Sequence, residues 1–126
     1  MAKLKPGSAD SPEISLAYLH DIADGSNEFM VEMIDIFLHQ TPGYLNQIET
    51  AIQHKDWVTV AEIAHKLRPT FAFIGVQEAI DAMATMEKYA RSGMHLDQIS
   101  VVFNEFKPLT DGLFSKLKEI RNGLAG

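Results

Sequence analysis

The chain has 126 residues, 46% of them hydrophobic, and its 17 acidic side chains outnumber 11 basic ones for a formal net charge of -6. That length supports one hydrophobic core, so a single domain is expected over residues 11–126 after a flexible segment over 1–10, and the acidic balance argues against a general nucleic-acid binder, which needs excess Lys and Arg to displace counterions. With no cysteine there are no disulfides, thiolate metal sites or cysteine nucleophiles; with no apolar run near the roughly 20 residues of a membrane span, and no hydrophobic stretch after the first lysines, the expected location is the cytoplasm.

The first predicted element is a short helix with Ser11 as N-cap, Pro12 and Glu13 in its first turn and an end at Ala23 before Asp24-Gly25. Ile14, Leu16, Leu19 and Ile22 are its inward positions. Ser26 caps a second helix whose apolar face (Phe29, Met30, Met33, Ile34, Phe37, Leu38) resumes in phase at Leu45, Ile48 and Ile52, which predicts one long helix to about His54, kinked at Pro42, with a break into two helices there as the alternative. Asp56 is the predicted N-cap of a third helix, with Trp57 as a core anchor. Its apolar stripe is Trp57, Val60, Ala64, Leu67, Phe71 and Ile74. A fourth helix follows over Val76–Arg91 with Ile80, Met83, Ala84 and Tyr89 inward, stopped by Ser92-Gly93. The last begins near Leu96 and carries apolar positions on both sides of Pro108, which predicts a second kinked helix. No segment alternates with period two. The class is all-α, an antiparallel four-helix bundle with a short additional N-terminal helix.

The third helix holds the candidate site. At 100° per residue Ala61, His65, Arg68 and Ala72 share a face beside the apolar stripe, so the imidazole stands next to a fixed cation with a small residue one turn before and near two turns after. A lone helical histidine is more often a surface residue than a site. The five histidines offer no pair three or four apart, so no metal motif lies on one helix. Glu62 precedes His65 by one turn as an acid–base partner of low specificity, and no catalytic triad, Walker loop or Rossmann loop is present.

The composite pattern is more informative than the histidine alone: His65, Leu67 at +2, Arg68 at +3, Thr70 at +5 and Gly75 at +10. It resembles the histidine-containing phosphotransfer (HPt) domain, whose signature reads approximately H-x-L-K-G-S-x-x-x-x-G. Arg68 stands where that signature has Lys, keeping the charge, and Pro69 where it has Gly, changing the backbone. The resemblance covers nearly the whole chain. It implies a helical bundle whose His65 accepts a phosphoryl group from a receiver-domain aspartate and passes it to another receiver. Arg68 would steady the phosphoryl oxygens, while Lys66, Pro69 and Glu87 are candidate neighbours of the site and Ala61, Pro69 and Ala72 a docking face. By the same resemblance the domain binds no metal or cofactor, magnesium belonging to the receiver, and has no ATP site or kinase activity. Response-regulator receivers, with a hybrid sensor histidine kinase as a further candidate, are the implied partners; one histidine face and no second apolar patch in the sequence suggest a monomer.

The residues suit that chemistry. An imidazole near its reference pKa of about 6.5 is substantially unprotonated at neutral pH and needs no strong base to act as a nucleophile. Pro69 is the counter-argument. It cannot donate to the His65 carbonyl and disfavours helical geometry at Arg68, so a bend is expected there, and the alternative reading is an adaptor bundle that does not transfer.

Overall fold

The computed structural model describes residues 13–126, and the expected flexible segment and the Ser11-Pro12 cap lie outside them. Among the described residues there are five helices and no strand: α1 (Ala17–Ala23), α2 (Asn27–Gln53), α3 (Trp57–Phe73), α4 (Gln77–Ser92) and α5 (Leu96–Ala125). Three-residue connections between α2 and α5 force consecutive long helices to run antiparallel. Each packs on two neighbours, α2 on α3, α3 on α4, α4 on α5 and α5 back on α2, which closes the bundle, while α1 lies against α2.

Local chemistry sets the helix ends. The Ser26 hydroxyl accepts from the Phe29 N–H at 3.1 Å and the Asp56 carboxylate from the Thr59 N–H at 3.2 Å, satisfying donors that a helix start leaves unpaired. Gly93 closes α4 at a φ of 72°, its N–H returning to the Tyr89 carbonyl. Both prolines expected to kink long helices are carried within continuous ones, Pro42 in α2 and Pro108 in α5.

The first helix differs from its prediction. Residues 13–16 are not helical, and α1 begins only at Ala17. The reason is a backbone tie: the Ser15 N–H donates to the Ile74 carbonyl at 3.0 Å, drawing this segment across the turn between α3 and α4. That turn contains Gly75 at a φ of 64°, and a Cβ there would run into the Ser15 carbonyl and side chain. Starting later shifts what α1 buries. Leu19 and Ala23 face inward one turn apart, and Ile22, expected inside, is exposed.

The core runs the length of the bundle through Ile48, Val60, Leu67, Met83, Ile99 and Leu113, all fully buried. At its centre Phe71 meets the edges of Phe37 and Phe106, each at a centroid distance of 5.7 Å, in the tilted geometry aromatic rings favour. Trp57, expected as a core anchor, is only half-buried against the core, because it opens α3 at the rim of the bundle. The helix that carries His65 is thus held from behind by the most buried side chains of the protein.

Candidate functional site

Leu67 and Phe71 fix the rotation of α3, and that rotation turns His65 outward with 66% of its side chain exposed. Across the α3–α4 contact stands Glu87, whose side chain is only 10% exposed. His65 Nδ1 lies 2.9 Å from Glu87 Oε2, Arg68 donates through Nη1 to Oε1 at 3.0 Å, and Arg91 donates through Nε to Oε2 at 2.8 Å. One buried carboxylate therefore gathers an imidazole and two guanidiniums on a single patch of surface.

The electrostatics follow from that arrangement. Burial pushes the Glu87 carboxyl up, but hydrogen bonds from Arg91 and Arg68, with further help from His65, more than reverse this and hold it below its ordinary value of 4.5. Glu87 is thus an anion near neutral pH. A carboxylate only accepts, so the proton it shares with the imidazole sits on Nδ1. In the neutral ring Nε2 then keeps its lone pair, and it has no hydrogen-bond partner among the described residues. The site can present a nucleophilic nitrogen to a visiting electrophile, and two cations are gathered on the carboxylate that Nδ1 contacts.

The other expected residues separate into groups. Arg68 points to the site in spite of Pro69, since α3 continues unbroken to Phe73 and the arginine reaches Glu87. Pro69 and Ala72 are exposed on the His65 face. Ala61 is not: expected on the open face, it is 3% exposed, its one methyl too short to reach past the packed neighbours of α3. Lys66 leans away from Glu87, its ammonium 4.9 Å from the centroid of the Tyr44 ring on α2. Glu62 is exposed and makes no hydrogen bond to His65 among the described residues. Arg91 was not anticipated. Its relation to Glu87 was readable as an i,i+4 acid–base pair, but nothing in the sequence tied that pair to His65.

Beside the His65 face, between α1, α2 and α3, lies an open groove of about 170 Å³ walled by Met33, Ile36, Phe37, Tyr44, Thr70 and Phe73. Among the described residues no three His, Asp or Glu side chains are close enough to hold a metal ion, and no helix is long and apolar enough to cross a membrane.

A family model, the Hpt domain, matches residues 32–122, which takes in the whole His65, Arg68, Glu87 and Arg91 constellation. The chain belongs to the Hpt domain family. No curated protein and no solved structure gives a significant match. Membership makes histidine phosphotransfer within a phosphorelay the general role of this Hpt domain, and domains of this family carry phosphoryl groups without kinase activity. Gly75 of the signature also acquires a physical meaning here, since it is the residue over which the Ser15 backbone crosses.

Proposed function

We propose that this Hpt domain is a cytoplasmic phosphocarrier in which His65 Nε2 takes a phosphoryl group from a receiver-domain aspartyl phosphate and gives it to the aspartate of another receiver. The observation that supports it best is the hydrogen bond between His65 Nδ1 and the buried Glu87 carboxylate, which leaves Nε2 as the accessible lone pair. In the forward step the Nε2 lone pair attacks phosphorus, the P–O bond to the receiver carboxylate breaks, and the carboxylate leaves with that electron pair. The positive charge that develops on the ring faces Glu87. Arg68 and Arg91 offer donors to the phosphoryl oxygens, which carry roughly -1.5 to -2 charges in the familiar phosphoesters. The magnesium ion that the acyl phosphate requires is assigned to the receiver.

Pro69 was the argument for an adaptor that does not transfer. The reach of Arg68 to Glu87 across the same helical turn favours the carrier instead. On this reading the receiver docks over Pro69, Ala72 and the neighbouring groove, whose Phe73 wall lies about 12 Å along the helix from His65, within the footprint of a globular partner.

The test is incubation with a phosphorylated receiver and magnesium. Acid-labile, base-stable label is expected on the wild-type protein and none on His65→Gln, while replacement of His20, His39, His54 or His95 leaves labelling intact. Label that persists on His65→Gln would move the site elsewhere, and a panel of receivers that labels nothing would favour the adaptor.

A further inference from the structure

The Nδ1 proton has a second task once the phosphoryl group is in place. With phosphorus on Nε2 and hydrogen on Nδ1 the ring is a cation. When an oxygen nucleophile attacks phosphorus, the P–N electron pair returns to Nε2, the ring charge is discharged, and a neutral imidazole leaves with its Nδ1–H untouched. Without that hydrogen the same cleavage would expel an imidazolate anion, a far poorer leaving group. Whatever holds the Nδ1 proton therefore governs how readily the phosphoryl group departs.

We propose that Glu87, through its negative charge and not its hydrogen bond alone, retains the proton on Nδ1 of phosphorylated His65 and so keeps the phosphohistidine short-lived and quick to discharge. The proposal rests on the phosphocarrier reading for the identity of the modified atom. Its geometric basis is the 2.9 Å contact of a carboxylate that is 10% exposed. A neutral amide in that place would lack the charge, and its NH2 group would hydrogen-bond a bare Nδ1 as readily as its carbonyl accepts from a protonated one.

Two other charged groups are tied into the contact, and two more flank His65 on α3. From α3 come Arg68, bound to Glu87, and Glu62 and Lys66, neither hydrogen-bonded to the imidazole; from α4 comes Arg91, also bound to Glu87; Lys66 itself turns to Tyr44 of α2. The two guanidiniums oppose a cationic ring. Both are already engaged by Glu87, and a phosphoryl group on Nε2 gives them further negative charge to face, so the carboxylate in direct contact with Nδ1 is the decisive neighbour.

The experiment needs no receiver. Wild type and Glu87→Gln, an isosteric change, are phosphorylated with potassium phosphoramidate, and loss of phosphohistidine to water is followed by phosphorus NMR between pH 5 and 9. Their difference should be smallest at pH 5, where the ring is protonated in both and only the release of Arg68 and Arg91 separates them, and should grow as pH rises. At pH 7.5 the Gln variant should be longer-lived on the order of fivefold, the upper range for a partly exposed charge pair. Long-range proton–nitrogen spectra of the wild-type phosphoprotein provide the second measurement: Nδ1 of phosphorylated His65 should lose its proton at higher pH in the folded chain than in the same chain unfolded in urea. Superimposable decay profiles for the two folded proteins, equal titration in the folded and unfolded chain, or failure of phosphoramidate to label His65 would each overturn the proposal. A receiver that fails to transfer, with these profiles as expected, would instead remove the relay reading and leave the role of Glu87 standing.

Discussion

Removing both guanidiniums should cost more than the sum of removing each, and replacing Glu87 should then reverse part of the loss. In the native cluster Arg68 and Arg91 are 45% and 54% exposed, so each contact with Glu87 is screened by water. Arg68→Ala or Arg91→Ala alone leaves the carboxylate one guanidinium and the imidazole, and each should cost about 1 kcal/mol, the upper range for exposed pairs. The double variant leaves the carboxylate, 10% exposed while both arginines cover it, with no fixed cation. A fully buried unpaired charge costs about 3–5 kcal/mol, but truncating both arginines opens this one to water, so the double variant should exceed additivity by roughly 1 kcal/mol. Adding Glu87→Gln to it removes the stranded charge and should restore stability, although the same substitution destabilises the wild type. The pH dependence should weaken too. In the wild type the folded pKa of Glu87 is depressed, so its contribution is present above the unfolded value near 4.5 and is lost as pH falls through the lower folded value. In the double variant the depression by the two guanidiniums is lost and the folded pKa should rise toward the unfolded one, so acidification should cost that protein less stability than it costs wild type. Urea denaturation at pH 7 and pH 4 of six proteins (wild type, the two single arginine variants, the double variant, and wild type and double variant each with Glu87→Gln) measures all of this. Additive losses at pH 7, or a Glu87→Gln change that destabilises the double variant as it does the wild type, would refute the picture of one carboxylate held by two cations.

Other outcomes follow from the packing around the site. Gly75→Ala should destabilise by about 2–4 kcal/mol in urea, from the left-handed backbone and the loss of the Ser15–Ile74 hydrogen bond its Cβ would displace; a change below about 0.5 kcal/mol would mean that the Ser15 segment is not seated there in solution. Pro69→Ala should stabilise by about 1 kcal/mol or more, because the His65 carbonyl regains a helical donor. It should change the rate of chemical phosphorylation less than about twofold, since Arg68 already reaches Glu87 with Pro69 present. Ile36→Lys, an exposed position on the groove wall, should slow transfer from a receiver while leaving phosphoramidate labelling unchanged; equal slowing of both would show damage to the site and not to docking.

The sequence was legible where one helix face repeats. The stripe through Val60, Leu67 and Phe71 gave the rotation of α3 and with it the exposure of His65. The caps at Ser26 and Asp56 follow from side-chain oxygens placed three residues before a free N–H, a relation that is local by nature. The departures are tertiary. The start of α1 depends on a hydrogen bond from Ser15 to Ile74, 59 positions away, which no local propensity encodes. Burial of Ala61 depends on how closely neighbouring helices approach, and a helical wheel gives angle but not depth. At the site, Arg68 was found through its place one turn from His65, whereas the role of Arg91 required knowing that α4 sets Glu87 against α3.

That convergence also bears on how firmly such a site holds its cargo. A bare pair of arginines beside His65 would bind a doubly charged phosphoryl group tightly and would favour keeping it. Glu87 offsets one of the two cations in advance, and each guanidinium must loosen its hold on the carboxylate to meet the phosphoryl oxygens. The attraction is then a difference between two similar interactions and not a full ion pair gained. A carrier that must surrender the group to a second protein is served by such near balance. The same carboxylate that tempers the arginines also holds Nδ1, so substitution of Glu87 should act on two quantities in one direction, raising the affinity of the cations for the phosphoryl group and lowering the readiness of the imidazole to leave. For this reason lifetime in Glu87→Gln is the more sensitive measure of the cluster, and the rate of first phosphorylation the less sensitive one.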